Sequence, residues 1–306
     1  MNFSKPILQE RLLIDSSNSD KGHFHSFHLV RPSYAPIFCS ISALFLVLSA
    51  VSFFHSKAIL ICILTSLFLL ISGMIIWWQE VIEESYVYHT AVVRRGLRLG
   101  FILFIVSEVM FFFGFFWGFF HSSLSPSVFI GGVWPPPGIE PFNPWTVPLA
   151  NTLILLLSGC SITWAHHSFL ANPKHSPYSR VSTDDENFMN TRTAFFTTIV
   201  LAACFTCLQL LEYCEAPFSI SDSVYGSTFF LMTGFHGLHV IIGTIFIVVC
   251  FTRFLSGRLT FKQHLGFEFA AWYWHFVDVV WLFLFVSIYW WGGSLFDSTV
   301  GFEIFA

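Results

Sequence analysis

The sequence predicts an all-α membrane protein with seven transmembrane helices, on three observations. Of 306 residues, 55% are hydrophobic and 19% aromatic against 10% charged, with a mean hydropathy of +0.70, too apolar for a water-soluble domain. Seven uninterrupted apolar runs each reach the roughly 20 residues that a hydrocarbon layer of about 30 Å requires. The bases fall on alternate connections, as membrane-crossing helices demand. A transmembrane barrel needs segments of about ten alternating residues, whereas these runs carry Leu, Ile and Phe on every face.

Taken in order, residues 1–30 form a polar N-terminal segment that mixes Lys5, Arg11 and Lys21 with Glu10, Asp15 and Asp20. It lacks the apolar core of a secretory signal and the acid-poor composition of a transit peptide. Residues 31–90 hold the first two spans, at approximately 34–54 and 59–79. Residues 91–293 hold the other five, at approximately 97–120, 148–171, 192–213, 226–252 and 267–291, and 294–306 form a tail. Forty Phe against five Met suggests an AT-rich coding genome such as an organelle's.

Sidedness follows from the bases. Lys5, Arg11, Lys21 and Arg31 precede the first span. Arg94, Arg95 and Arg98 are assigned to the 2–3 connection, Lys174, Arg180 and Arg192 to the 4–5 connection, and Arg253, Arg258 and Lys262 to the 6–7 connection. Lys57 alone lies opposite, so the N-terminus is predicted to face the compartment of synthesis, cytoplasm or mitochondrial matrix. The opposite connections, 122–148 and 215–225, and the tail carry Glu140, Glu215, Asp222, Asp297 and Glu303. The Trp134-Pro135-Pro136-Pro137-Gly138 run lacks backbone donors and is stiff, which predicts a fixed surface loop.

Polar residues inside the spans carry the chemistry. Glu108 is the one charge in its run past Arg98, and an acid in hydrocarbon is either functional or matched by a polar partner. It could point into the bundle or toward a lipid-filled groove. Gly100, Ser107, Gly114 and Gly118 on the third span, and Gly226, Gly234, Gly237 and Gly243 on the sixth, are expected to mark close helix contacts. Cys204 and Cys207 read as two small packing residues, because a zinc site needs four ligands and no set is completed nearby.

His236 and His239 share one face of the sixth span, His166 and His167 end the fourth, and His275 precedes Asp278 by about one turn. Haem ligation needs a roomy slot between opposed histidines. Trp272, Trp274 and Trp281 would fill one, so His275 and Asp278 are expected to tie the seventh span to its neighbours by hydrogen bonds.

The motifs are long and ordered: Trp77-Trp78, Ser107-Glu108-Val109-Met110-Phe111-Phe112, His121-Ser122-Ser123-Leu124, Trp134-Pro135-Pro136, Thr163-Trp164-Ala165-His166-His167, Glu215-Ala216-Pro217-Phe218, Gly234-Phe235-His236-Gly237-Leu238-His239 and the run from Ala271 to Trp281. Over about residues 25 to 293 the chain resembles cytochrome c oxidase subunit III.

That resemblance implies a seven-helix subunit of the terminal respiratory oxidase. Helices one and two would splay from a five-helix bundle (3–7), leaving a V-shaped cleft filled by phospholipid and proposed as an oxygen path. Members hold no haem or copper, which belong to partner subunits. They pack against catalytic subunit I, beside subunit II and accessory subunits, sustain proton uptake and protect the enzyme from turnover-linked inactivation. The implied location is the mitochondrial inner membrane with a matrix N-terminus, a bacterial plasma membrane being the alternative, and no nucleic-acid partner is implied.

Carried over by motif, the lipid-binding positions are Trp78, Glu84, His89, Arg253 and, on a looser alignment, Arg258. No catalytic or metal-binding residue is implied. Glu108 matches the family's carbodiimide-reactive carboxylate. Physical chemistry agrees that Arg253 and Arg258 suit lipid phosphate and that Trp77 and Trp78 suit the membrane interface.

The sequence departs from the family where many members carry Arg before the Glu-Ser pair. Here Gln79-Glu80-Val81-Ile82-Glu83-Glu84-Ser85 stands instead, which removes one phosphate partner. The N-terminal extension, the connection around 172–187 and the tail after Gly293 are longer than usual and are expected to meet accessory subunits. A secondary transporter or proton channel would also use Glu108 and Asp278, but inverted repeats are expected there and none is found beyond loose hydropathy. Glu108 is therefore expected to be protonated, or hydrogen-bonded at the cleft wall, in a structural role rather than a proton relay.

Overall fold

The computed structural model describes residues 27–57, 59–171, 186–259 and 264–294. Most of the polar N-terminal segment, residues 172–185 of the 4–5 connection, Lys262 and the tail from 295 lie outside the described residues, and with them the expected accessory-subunit contacts.

Among the described residues all regular structure is helical: α1 (Ala35–Phe54), α2 (Leu60–Val87), α3 (Ala91–Leu124), α4 (Val147–Leu170), α5 (Glu186–Glu215), α6 (Ser223–Leu255) and α7 (Leu265–Leu284). The last continues through π-helical turns over Phe285–Trp291. These are seven helices long and apolar enough to cross a membrane, as the sequence predicts. Proline opens α1 and α4, where its missing N–H costs nothing.

The helices outrun their apolar runs. α2 continues through the acidic stretch Glu80–Glu84, and α3 starts at Ala91, so Arg94, Arg95 and Arg98 sit in its first turns rather than in a connection. Arg192 likewise lies within α5. Hydropathy marks only the part of a helix that meets hydrocarbon, whereas backbone hydrogen bonding carries on into the polar layer.

The chain divides into two compact units, one ending at Leu97 and the other starting at Arg98. In the first, α1 packs on α2 at Gly73, where an added Cβ would lie 2.7 Å from the Phe38 ring and 2.9 Å from Cys39 Sγ. The Ser33 hydroxyl, just before α1, donates to the Glu80 carboxylate. Most of the large apolar side chains of these two helices are exposed, as lipid-facing helices require.

In the second unit α4 packs on α5 and on α7, and α6 packs on α5 and α7, around Trp274, Trp281, Phe195, Phe205 and Phe267, all fully buried. Buried polar pairs stitch it: Trp274 Nε1 donates to Ser158 Oγ and Trp281 Nε1 to Thr152 Oγ1, each at 2.9 Å, and Ser161 and Thr198 hydroxyls meet at 2.7 Å. Two glycines permit close approaches between helices. A Cβ at Gly243 would lie 2.9 Å from the Trp274 ring, and one at Gly159 would collide with the Asp278 carboxylate.

The glycine row on α3 behaves otherwise. A Cβ at Gly100, Gly114 or Gly118 meets nothing within 4 Å, and the same holds at Gly237 on α6. Small side chains reveal which face of a helix is thin, not which neighbour occupies it, so the expected seam on α3 is absent among the described residues. Long side chains hold α3 instead: Phe101 stacks on Phe269 at 4.3 Å, and Arg98 donates from Nε and Nη2 to Glu268 at 2.9 Å each.

The proline loop also differs from expectation. Trp134, Pro135 and Pro136 are buried, with the Trp134 ring 5.7 Å from Phe119 and 5.5 Å from Tyr225. An apolar Trp-Pro-Pro surface is better placed against aromatic helix ends than in water.

Candidate functional site

Glu108 sits mid-way along α3, about 100° round from Ser107, and its carboxylate faces α6. Its Oε2 lies 2.8 Å from His239 Nε2, the two side chains being 23% and 9% exposed. His239 Nδ1 lies 2.6 Å from the Phe235 carbonyl one turn earlier. A carbonyl can only accept, so Nδ1 carries the hydrogen, and Nε2 and Oε2 share one further proton between them. Phe112, Tyr273 and Phe276 wall the imidazole, with ring centroids 5.1, 6.2 and 6.1 Å away. Glu108 is thus a matched acid, directed at a neighbouring helix.

The candidate lipid residues fall in two places. In the first unit Trp78 is exposed near the end of α2, while Glu84 and His89 are half-buried where α2 turns into α3. His28, from the irregular stretch before α1, joins them with its ring 5.3 Å from that of His89. Burial above all, with His28 and Arg94 adding, holds the His89 imidazole below its ordinary value of 6.5. In the second unit Arg253 lies in the last turn of α6, with Nε buried and without a hydrogen bond among the described residues. Arg258 is exposed just beyond, its backbone N–H donating to the Arg253 carbonyl at 2.9 Å.

The sequence matches the family described as cytochrome c oxidase subunit III over residues 25–293. It is 56% identical over 275 residues to cytochrome c oxidase subunit 3 of Arabidopsis thaliana, covering 88% of this chain and 97% of that protein. Identity is 54% over 272 residues with the protein of the same name from Tragelaphus oryx (88% and 98% covered) and 52% over 273 residues with that from Chondrus crispus (88% and 95% covered). The chain belongs to the cytochrome c oxidase subunit III family. It is accordingly a component of the oxidase complex, placed among other subunits, and its seven spans fit a multi-pass inner-membrane protein.

Several of the remaining polar side chains in these motifs make contacts within the fold. His236 Nε2 lies 3.2 Å from the Val277 carbonyl. His275 Nε2 lies 3.1 Å from Thr163 Oγ1 on α4, so His275 ties α7 to α4 as expected, whereas Asp278 stands 3.6 Å from His275 Nδ1 on its own helix and its buried Oδ1 has no hydrogen bond among the described residues. His264 Nε2 stands 3.0 Å from Glu268 Oε1, beside the Arg98 bridge. Cys204 and Cys207 are exposed on α5, so they do not fill an internal seam. Two functional candidates escaped the sequence reading. His28 belongs to none of its motifs, and the partnership of Glu108 with His239 was hidden although both residues stood in motifs at mid-span.

Proposed function

We propose that the chain is a non-catalytic core subunit of proton-pumping cytochrome c oxidase. It supports electron transfer from cytochrome c to oxygen by stabilising the catalytic subunit, binding phospholipid and sustaining proton uptake. Subunit I is its main contact, subunit II and accessory subunits share the complex, and the haem and copper centres belong to the partners. The chain carries no redox centre of its own. Its N-terminus faces the matrix, in keeping with the bases Arg94, Arg95 and Arg98 early in α3 and Arg253 and Arg258 at and just past the end of α6.

The observation that carries this reading is the Glu108–His239 contact at 2.8 Å. An acid already paired with a neighbouring helix does structural work at that depth rather than passing protons along a chain. Phospholipid is held by Trp78 at the interface, by Glu84 and His89 through headgroup hydrogen bonds, and by Arg253 and Arg258 through phosphate. The test is Glu108→Gln in the assembled oxidase, where proton pumping stays largely intact. Complete loss of pumping overturns the reading.

A further inference from the structure

We propose that His28, Glu84 and His89 form a binding site for a divalent transition-metal cation of the zinc type. Their ligating atoms, two imidazole nitrogens and one carboxylate oxygen, all lie within 4.8 Å of one another. They come from three separate places: the irregular stretch before α1, the last turn of α2 and the turn before α3. Zinc bonded at about 2.0–2.2 Å in a tetrahedron sets its donors roughly 3.4 Å apart. Small side-chain rotations, chiefly of the exposed His28, close the difference.

The chemistry selects the ion. Two imidazoles and a carboxylate suit zinc, whereas calcium and magnesium take oxygen donors. Three protein ligands leave a fourth position for water. The surrounding charge favours a cation, because residues 79–87 at the end of α2 contain Glu80, Glu83 and Glu84 and no base. Arg94, whose charge reaches His89, opposes it with one positive charge. When filled, the site clips the approach to α1 onto the α2–α3 turn, since metal binding is linked to ordering of the segments that supply the ligands. The proposal shares Glu84 and His89 with the lipid reading but does not rest on it, and His28 belongs to this site only.

The test uses the complete purified oxidase, stripped with a chelator and dialysed against zinc chloride alone, with bound zinc and co-purified phospholipid counted in the same samples. Wild type is expected to hold one more exchangeable zinc per complex than His28→Ala, with affinity at that site falling by more than the roughly 10–100-fold cost of disturbing an outer-shell partner. His28→Cys, which restores a ligating atom but not an imidazole's shape, is expected to recover the ion, and phospholipid is expected to stay unchanged in both variants. Equal zinc content in wild type and His28→Ala overturns the proposal, as does loss that His28→Cys fails to recover. Unchanged zinc with phospholipid lost from His28→Ala also overturns it, while leaving the lipid reading standing.

Discussion

Glu108 on α3 and His239 on α6 meet at 2.8 Å, and the far nitrogen of the same imidazole is held 2.6 Å from the Phe235 carbonyl. The ring is thereby locked with its Nδ1–H spent on its own helix, leaving Nε2 for the acid. A glutamine at 108 can still donate an amide hydrogen to that nitrogen, so Glu108→Gln keeps the α3–α6 contact. His239→Phe fills the space but leaves the carboxyl without its partner, at a cost of about 1–3 kcal/mol. The expected outcome is a lower thermal-inactivation midpoint for His239→Phe and a near-native one for Glu108→Gln, measured on the assembled oxidase.

One substitution at two glycines separates real seams from thin faces. Gly159→Ala drives a methyl group into the Asp278 carboxylate and is expected to destabilise by about 1–3 kcal/mol. Gly237→Ala meets nothing within 4 Å and is expected to be neutral or mildly stabilising, within about 1 kcal/mol, because alanine is the better helix former. Thermal unfolding of the purified complex ranks the two, and a larger loss at Gly237 would contradict the packing described.

Trp274→Phe keeps most of the buried ring but removes the 2.9 Å donor to Ser158. Ser158 spends its own hydrogen on the Leu155 carbonyl at 2.6 Å, so its oxygen loses the indole donor. The loss is expected to be about 0.6 kcal/mol and at most about 2, the range for such bonds between membrane helices. A double variant with Ser158→Ala should cost little more than Trp274→Phe alone, and full additivity would show that the two side chains are not coupled.

Arg253→Ala removes a half-buried guanidinium whose Nε has no hydrogen bond among the described residues. Co-purifying acidic phospholipid is expected to fall and the active lifetime of the oxidase during turnover to shorten. Lipid content equal to wild type would remove Arg253 from the lipid-binding set.

Composition and run length were sufficient by themselves to determine seven membrane-crossing helices, because hydrocarbon offers unpaired backbone groups no partner and a helix satisfies them within one segment. The motif order was likewise sufficient for the family. Tertiary structure decided the rest. Periodicity reports the angle of a residue around its own helix axis, whereas its partner depends on the rotation and depth of another helix. That is why Glu108 was legible as an acid at membrane depth but His239 was not legible as its match, and why the glycines of α3 resembled a seam although a Cβ there meets nothing within 4 Å among the described residues. Trp134-Pro135-Pro136 read as a surface loop because proline content reports stiffness, and burial came from Phe119 and Tyr225 lying beside it. His28 took on meaning only when the fold carried it 5.3 Å from His89, a proximity between residues far apart in the chain that no local pattern encodes.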